Sequence, residues 1–403
     1  MSAVRTVEEH RAVVAGLLAD LGEETVELAE AHGRVLARDV PAAVALPGFD
    51  NSAMDGYAGR WAEITAAARA PVRLPVADDI PAGRTDVVPL VPGTVQRIMT
   101  GAPLPPGADV VVPVEMTDGA TDVVEIRDCP ARGTHLRAAG EDIAAGAVAL
   151  QAGSPLGTAQ LGLAAAVGVT HLPVRRRPRV LVLSTGSELV APGTPLRHGQ
   201  IYESNSQLLV AAVEEAGGRA RRLHFVPDDV GQFLAAVRAE AATADLLITS
   251  GGVSAGAYEV VKDAFRGLGT VEFTKVAMQP GGPQGAGTVD DVPVVTLPGN
   301  PVSAFVSFEV FVRPALRRAL GHSLPDRLQV PARLSGALRS PAGRRQFLRG
   351  HYEAGRVSQV GGPGSHLVAH LARANCLVVV PEDVTELPAG AEVDVVLIEG
   401  ALR

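Results

Sequence analysis

Between Arg179 and Leu320 short, almost unbroken apolar runs alternate with longer amphipathic stretches. The spacing predicts strands at Arg179–Ser184, Arg221–Val226, Asp245–Thr249, Val271–Ala277 and Val292–Leu297. Helices are predicted at Ser204–Ala216, Val230–Ala241, Glu259–Gly267 and Pro301–Leu320. Strands apolar on both faces, joined by helices, belong to a mostly parallel sheet covered on each side, a three-layer α/β domain. Upstream, Thr6 and Glu9 form a T-x-x-E capping box ahead of the stripe Val13, Val14, Leu17, Leu18 and Leu21, with Gly22 as the stop. From Pro41 to about Gly140 the pattern shortens to β-like runs such as Val110–Val114 and Asp122–Ile126, and a short helix follows near Ala159–Val167. The run Arg175-Arg-Arg-Pro-Arg179 reads as a linker. After Pro325, Leu328–Leu334, Gln346–Tyr352, Leu377–Val380 and Val393–Ile398 make enough strand for a small β-barrel.

Length and composition narrow the function classes. A chain of 403 residues suits several domains. Its formal charge of −8 argues against a general nucleic-acid binder, which needs a basic face. Only Cys129 and Cys376 are present, far apart, which excludes a disulfide framework or a structural zinc site. No run reaches the ~18 apolar residues of a membrane span, and Glu8, Glu9 and His10 stand where a leader would be apolar. The expectation is a soluble cytoplasmic protein. Of the 36 basic residues only Lys262 and Lys275 are lysine, so these two stand out.

In open α/β sheets ligands bind beyond the carboxyl ends of the strands. Five such ends here are polar and glycine-rich: Ser184-Thr-Gly-Ser-Glu188, Pro227-Asp-Asp229, Ser250-Gly-Gly-Val-Ser254, Gln279-Pro-Gly-Gly282 and Leu297-Pro-Gly-Asn-Pro301. Outward backbone N–H groups and helix N-termini make such ends anion sites, so an acidic protein can hold a polyanion there. One loop alone is an ordinary tight turn; five at one end of one sheet indicate a site. Glu188, Asp228, Asp229 and Glu259 fall among them, where Mg²⁺ could bridge carboxylates and substrate phosphates, although one of the two aspartates suffices as a cap for the helix from Val230. Lys275 either projects into the crevice or is an exposed strand residue. Elsewhere, Phe49-Asp-Asn-Ser-Ala-Met-Asp-Gly-Tyr57 interleaves aromatic and polar groups as a binding surface does. Arg97-Ile-Met-Thr-Gly-Ala-Pro103 offers the Thr100 hydroxyl beside a glycine, and Gly140-Glu-Asp-Ile143 is a third such segment.

Two rival readings are weaker. Gly252-Val-Ser-Ala-Gly256 matches the nucleophile elbow G-x-S-x-G, but no histidine follows a strand of the same sheet. His366 and His370 have helical i, i+4 spacing without an acidic third ligand.

Together, Phe49–Tyr57, Arg97–Pro103, Gly140–Ile143, Ser184-Thr-Gly-Ser-Glu-Leu189, Thr249-Ser-Gly-Gly-Val-Ser254 and Leu297-Pro-Gly-Asn-Pro-Val-Ser303 resemble, in order, the molybdopterin molybdenumtransferase (MoeA) family, which includes the E domain of gephyrin. The resemblance implies a helical domain from 1–45 and 141–175, an inserted β-rich domain at 46–140, an α/β molybdopterin-binding domain at 176–326 and a C-terminal β-barrel at 327–403. It implies an elongated homodimer in which Asp55 and Thr100 of one subunit face the α/β crevice of the other. The implied reaction inserts molybdate into adenylylated molybdopterin, with Mg²⁺-dependent hydrolysis releasing AMP, and a molybdopterin adenylyltransferase as the upstream partner. Asp55, Thr100, Asp142, Glu188, Asp228 and Lys275 would then be catalytic, with Glu188, Asp228 and Glu259 around the metal. Thr185, Gly186, Ser187, Ser250, Gly251, Gly252, Ser254, Pro298, Gly299, Asn300, Pro301 and Ser303 would hold the pterin phosphate.

The chain departs from the family pattern in two places. The usual K-P-G-K-P is Gln279-Pro-Gly-Gly-Pro283, two positive charges fewer, and the acidic pair after SGGVSxG is Ala257 and Glu259. Losing charge-assisted contacts of this kind weakens anion binding by roughly 1–3 kcal/mol each. A second function class follows: a gephyrin-like adaptor, weak or inactive as a transferase, that docks a segment of a cytoskeletal or membrane-associated partner near Gly350–Ala372.

Overall fold

The computed structural model describes residues 4–223, 230–241, 243–251, 260–266 and 271–398. Two compact units emerge, one of residues up to Glu24, Gly33–Ala37 and from Val174 on, the other of Thr25–His32 and Arg38–Pro173.

The first unit is built on a six-stranded sheet in the order Arg219–Leu223, Arg179–Ser184, Leu246–Ser250, Val292–Leu297, Pro283–Val289, Val271–Lys275. The first three pairings are parallel and the last two antiparallel. Helices Asn205–Glu215, Val230–Ala241 and Val260–Arg266 complete the alternation that the hydrophobic pattern predicts. The strand Pro283–Val289 was not expected, because Pro-Gln-Gly-Ala-Gly reads as a loop. Its glycines are there for closeness: a Cβ on Gly285 would meet Thr296 Oγ1 of the neighbouring strand at 2.2 Å. Two reversals return Val271–Lys275 to the direction of the parallel strands, so Lys275 still ends at their carboxyl edge.

Helix Pro301–Ala319 is a single predicted element with a π-helical segment, Phe308–Val312, in its middle. Phe308 and Phe311 from that segment are buried in the large core with Val7 and Val14 of the opening helix. The opening helix begins as expected, with the Thr6–Glu9 capping box formed, but it ends at Leu17 with an extended Leu18. Leu21 is therefore off the helix, and Gly22 serves a later turn rather than the helix stop.

The tail closes a five-stranded barrel, each of Arg345–Glu353, Arg356–Gln359, Gln329–Leu334, Glu392–Leu397 and Cys376–Val380 pairing with the next and the last with the first. Met278–Gln279 pairs alongside Arg345–Gln346, tying the loop after Lys275 to this barrel.

The second unit carries a five-stranded sheet ordered Val110–Pro113, Gly56–Gly59, Val95–Ile98, Val72–Ile80, Val123–Ile126, and the helix Thr158–Ala166. Tyr57 is fully buried in its core and its hydroxyl donates to Ala120 O at 2.8 Å. The aromatic that suggested a binding surface is therefore packing, while Phe49, 49% exposed, stays at the surface. No helix among the described residues is long and apolar enough to cross a membrane.

Candidate functional site

Three of the predicted loops interlock at the carboxyl edge of the α/β sheet. Thr185 N donates to Ser250 O at 3.2 Å, and Gly251 N donates to Leu297 O at 3.1 Å. Gly251 has φ +98°, and a Cβ there would lie 2.7 Å from Thr185 O, so backbone conformation and space both require glycine. Asn205, at the start of its helix and 9% exposed, bridges two of these loops: Nδ2 donates to Ser250 Oγ at 2.7 Å and to Gly299 O at 2.6 Å. A carbonyl oxygen only accepts, which fixes the amide orientation. Sequence reasoning missed Asn205, although the Ser204-Asn205 start of a helix after a strand was a visible signal.

This edge is rich in polar atoms without partners. Ser184 Oγ, Thr249 Oγ1, Thr296 Oγ1 and Asn205 Oδ1 are buried and make no hydrogen bond among the described residues. Ser184 lies opposite Ser250 in the sheet, and Thr249 opposite Thr296. Buried hydroxyls left open at strand ends suit a polar ligand better than a sealed core.

The remaining predicted residues of the edge are accounted for individually. Thr185 and Gly186 are half-buried, whereas Ser187 and Glu188 are exposed. The Glu188 carboxylate folds back over the loop, both oxygens 2.7 Å from where a Gly186 Cβ would stand. Lys275 is exposed and, among the described residues, has no ion pair. Pro298, Gly299, Asn300 and Pro301 lead into the helix whose first turn buries Ser303 at 4% exposure. Gly252, Ser254, Asp228 and Glu259, together with Asp229, Ala257 and the whole G-x-S-x-G segment, lie outside the described residues.

The barrel also reaches this edge. Asn300 Nδ2 donates to Ser365 Oγ at 2.9 Å, and Val302 N donates to Ser365 O at 3.1 Å. Arg349, only 3% exposed, holds the glycine loop that carries Ser365: it donates to Gly364 O at 3.0 Å and to Gly362 O. Burial lowers the Arg349 pKa from its ordinary value, and its Nε has no acceptor. Within the segment expected to dock a partner, Ser365 is thus tied to this edge, while most of Gly350–Ala372 stays exposed. The glycines at 361, 362 and 364 were the available signal.

Within the second unit, Asp55 and Thr100 are brought together. Thr100 donates to Asp55 Oδ1 through its backbone N at 2.6 Å and its hydroxyl at 2.7 Å. The backbone N–H and then the hydroxyl lower the Asp55 pKa from the usual carboxylate value. Asp142 lies exposed on a turn whose backbone N donates to Leu46 O at 3.0 Å.

Two rival or neutral readings resolve simply. His370 lies on the short helix Val368–Leu371 and His366 before it, and a Cβ on Gly361 would stand 2.6 Å from the His370 ring, so that ring packs on backbone. The described residues contain no group of three or more His, Cys, Asp or Glu able to hold a metal, and both cysteines are free. The Arg175–Arg179 run is no loose linker: Arg176 and Arg179 both clasp Asp245, whose side chain is 10% exposed.

Comparison with known proteins agrees along the whole chain. Residues 5–168 match the MoeA N-terminal region (domain I and II), 181–318 the "Probable molybdopterin binding domain", and 331–398 the MoeA C-terminal region (domain IV). The chain is 55% identical over 401 residues to molybdopterin molybdenumtransferase 2 of Mycobacterium tuberculosis, covering 97% of this chain and 99% of that one. It is 35% identical to the molybdopterin molybdenumtransferase of Haemophilus influenzae over 381 residues, 92% and 93% of the two chains. Two solved molybdopterin biosynthesis MoeA proteins of Pyrococcus horikoshii superpose with TM-scores of 0.87 and 0.83 at 33% and 28% identity. They cover 99% and 98% of this chain and 100% of each of theirs. Carrying all three family regions in order on the MoeA fold, this chain belongs to the molybdopterin molybdenumtransferase (MoeA) family.

Proposed function

We propose that the protein inserts molybdate into adenylylated molybdopterin and releases AMP, acting as a molybdopterin molybdenumtransferase of molybdenum cofactor biosynthesis. The observation that carries this reading is the interlocked edge: three glycine loops fixed to one another, with open buried hydroxyls and the N-terminus of helix Pro301–Ala319. Such an edge binds anionic groups through backbone N–H and helix dipole, and it brings two anionic reactants together without a basic surface. The relatives bear transferase names, and nothing in the comparisons favours the adaptor without transferase activity.

Within this reading Thr185, Gly186, Ser187, Ser250, Gly251, Pro298, Gly299, Asn300, Pro301 and Ser303 hold the phosphate end of the pterin, with Gly252 and Ser254 continuing the same loop. Lys275 supplies a positive charge at that edge. Glu188 offers a hard, exposed carboxylate beside the phosphate loops, and Mg²⁺ is proposed there with Asp228 and Glu259 as companions. When bound it neutralises charge on the substrate phosphates. Asp55, kept ionised by two donors from Thr100, and Asp142 position water or the pterin. The homodimer, an adenylyltransferase upstream, the cytoplasmic location and the four-domain division belong to the same reading.

The test is AMP release from purified protein given adenylylated molybdopterin, molybdate and Mg²⁺. Release that requires molybdate and disappears in Asp55→Ala is expected. Tight pterin binding without AMP release would overturn the transferase reading.

A further inference from the structure

The arginine run Arg175–Arg179 takes no part in the carboxyl-edge site. Strands Arg179–Ser184 and Arg219–Leu223 are parallel neighbours with Arg179 opposite Arg219. Both therefore start at the amino edge of the sheet, about 17 Å from Ser184 at ~3.3 Å per residue. There Arg176, Arg177, Arg179, Arg219 and Glu24 line a recess of about 300 Å³.

The carboxylates near this recess are already committed. Asp245 accepts both terminal nitrogens of Arg176 at 2.9 and 3.0 Å, Nε and one terminal nitrogen of Arg179 at 3.2 and 3.1 Å, and the Arg179 backbone N at 2.7 Å. Glu24 is ion-paired at 2.5 Å to Arg34, a side chain only 3% exposed. Arg177 and Arg219 are left with no ion pair among the described residues, and Arg177 Nε is buried without any acceptor. Burial, then the charges of Arg34 and Arg219, lower the Arg177 pKa from its ordinary value, although a guanidinium stays protonated at any working pH. Like charges gathered around a recess repel one another until an anion enters. In a chain of net charge −8 such a cluster is not the general character of the surface.

We propose that this recess is a second anion site, at the opposite edge of the sheet from the proposed active site, and that it takes a phosphoryl group. Guanidinium forks match a tetrahedral oxyanion by paired, charge-assisted hydrogen bonds. Arg179 and Arg219 also border an adjoining recess of about 290 Å³ that includes Val180, Leu181, Ala220 and Thr243. The phosphate of a nucleoside monophosphate seated on the arginines would leave its remainder against that apolar wall, whereas free phosphate would use the arginines alone.

The experiment is isothermal titration of the full chain with inorganic phosphate and, separately, with AMP, comparing wild type with R177Q and R219Q. Arg219 is exposed, so R219Q keeps the test meaningful if R177Q folds poorly. Expected is the loss of one equivalent, or a weakening of tenfold or more, in each variant at an unchanged melting temperature. The readout is the difference between wild type and variant, so it stands whether or not the active-site crevice also takes phosphate. AMP binding to the variant-sensitive site more tightly than phosphate identifies a nucleotide site, and phosphate alone identifies a free-oxyanion site; either supports the proposal. Unchanged stoichiometry and affinity in folded R219Q overturn it.

Discussion

Asn205→Ala tests whether the carboxyl-edge loops are held as a unit. The change removes the donor that reaches Ser250 Oγ at 2.7 Å and Gly299 O at 2.6 Å. Ser250 Oγ keeps a 3.3 Å contact to Pro298 O, but Gly299 O has no other donor among the described residues. A buried polar group stripped of its partner costs about 1–3 kcal/mol, so one fully and one partly orphaned group sum to roughly 2–4 kcal/mol with the lost packing. For a domain of this size that is roughly 5–10 °C in melting temperature. Phosphate affinity of the crevice should fall with it, because the Ser250–Gly251 and Pro298–Pro301 loops lose their tie. Asn205→Asp sharpens the test: it keeps the volume yet places a carboxylate oxygen against a carbonyl that can only accept. Burial raises the pKa of such a carboxyl, and its protonated form donates. Asn205→Asp should therefore be less stable than Asn205→Ala at pH 8 and recover as the pH falls toward 5. Thermal melts across that range, with phosphate titration, decide it. Asn205→Ala melting within a degree of wild type, or an Asn205→Asp variant indifferent to pH, would refute the bridging role.

The remaining predictions concern other links in the chain from residue to function. Thr100→Val removes the hydroxyl donor to Asp55 while leaving the backbone donor, so the Asp55 pKa should rise toward the ordinary carboxylate value; a carboxyl titration followed by NMR reads this, and no shift refutes it. His10, fully buried edge-on to Phe311 at 4.7 Å with both ring nitrogens unpartnered, is pushed down to about 4, by burial first and then by Arg5. Its folded pKa lies below the unfolded value near 6.5, so stability is lost as pH falls below that value: about 2 kcal/mol between pH 7 and 5, which His10→Phe should flatten in urea midpoints. Gly282→Lys restores one cation of the family's K-P-G-K-P. A Cβ there meets nothing closer than Val276 O at 3.4 Å, so the melting temperature should hold while phosphate affinity at the carboxyl edge rises several-fold. Unchanged affinity would place position 282 away from the anion.

What was legible in the chain follows the physics of each signal. Apolar strands between amphipathic helices reported the parallel half of the sheet within a few residues, since burial on both faces leaves little choice of side chain. The capping box at Thr6 gave the helix start, because it is a local hydrogen-bond pattern; the helix end was missed, because Leu18 and Leu21 continue the apolar stripe after the backbone has turned. Tyr57 was misread and the strand Pro283–Val289 was missed for a shared reason. Whether an aromatic is core or surface, and whether a glycine run is loop or strand, depends on what lies across from it, and Thr296 lies across from Gly285. Asn205, Arg349 and Ser365 act over separations of 45, 15 and 65 residues, which no local pattern records.

Strand direction accounts for how an acidic chain concentrates anion-binding chemistry. In the proposed function the carboxyl edge takes its anion mainly through the backbone of the glycine turns and the start of helix Pro301–Ala319, so glycine and small hydroxyl residues would suffice and the lack of lysine at 279 and 282 would remove only part of the attraction. At the amino edge no helix start follows a strand, and the backbone offers no equivalent array, so an anion there requires side-chain cations. Arginines stand at that edge, on Arg176, Arg177, Arg179 and Arg219, with their carboxylates already paired. The two edges should therefore respond differently to salt. Binding through bare guanidiniums weakens steeply as ionic strength rises, while binding through fixed, partly buried backbone donors is screened less. Phosphate titrations at 50 and 300 mM salt should separate the two classes of site, and a parallel loss at both would show that the carboxyl edge relies on side-chain charge after all.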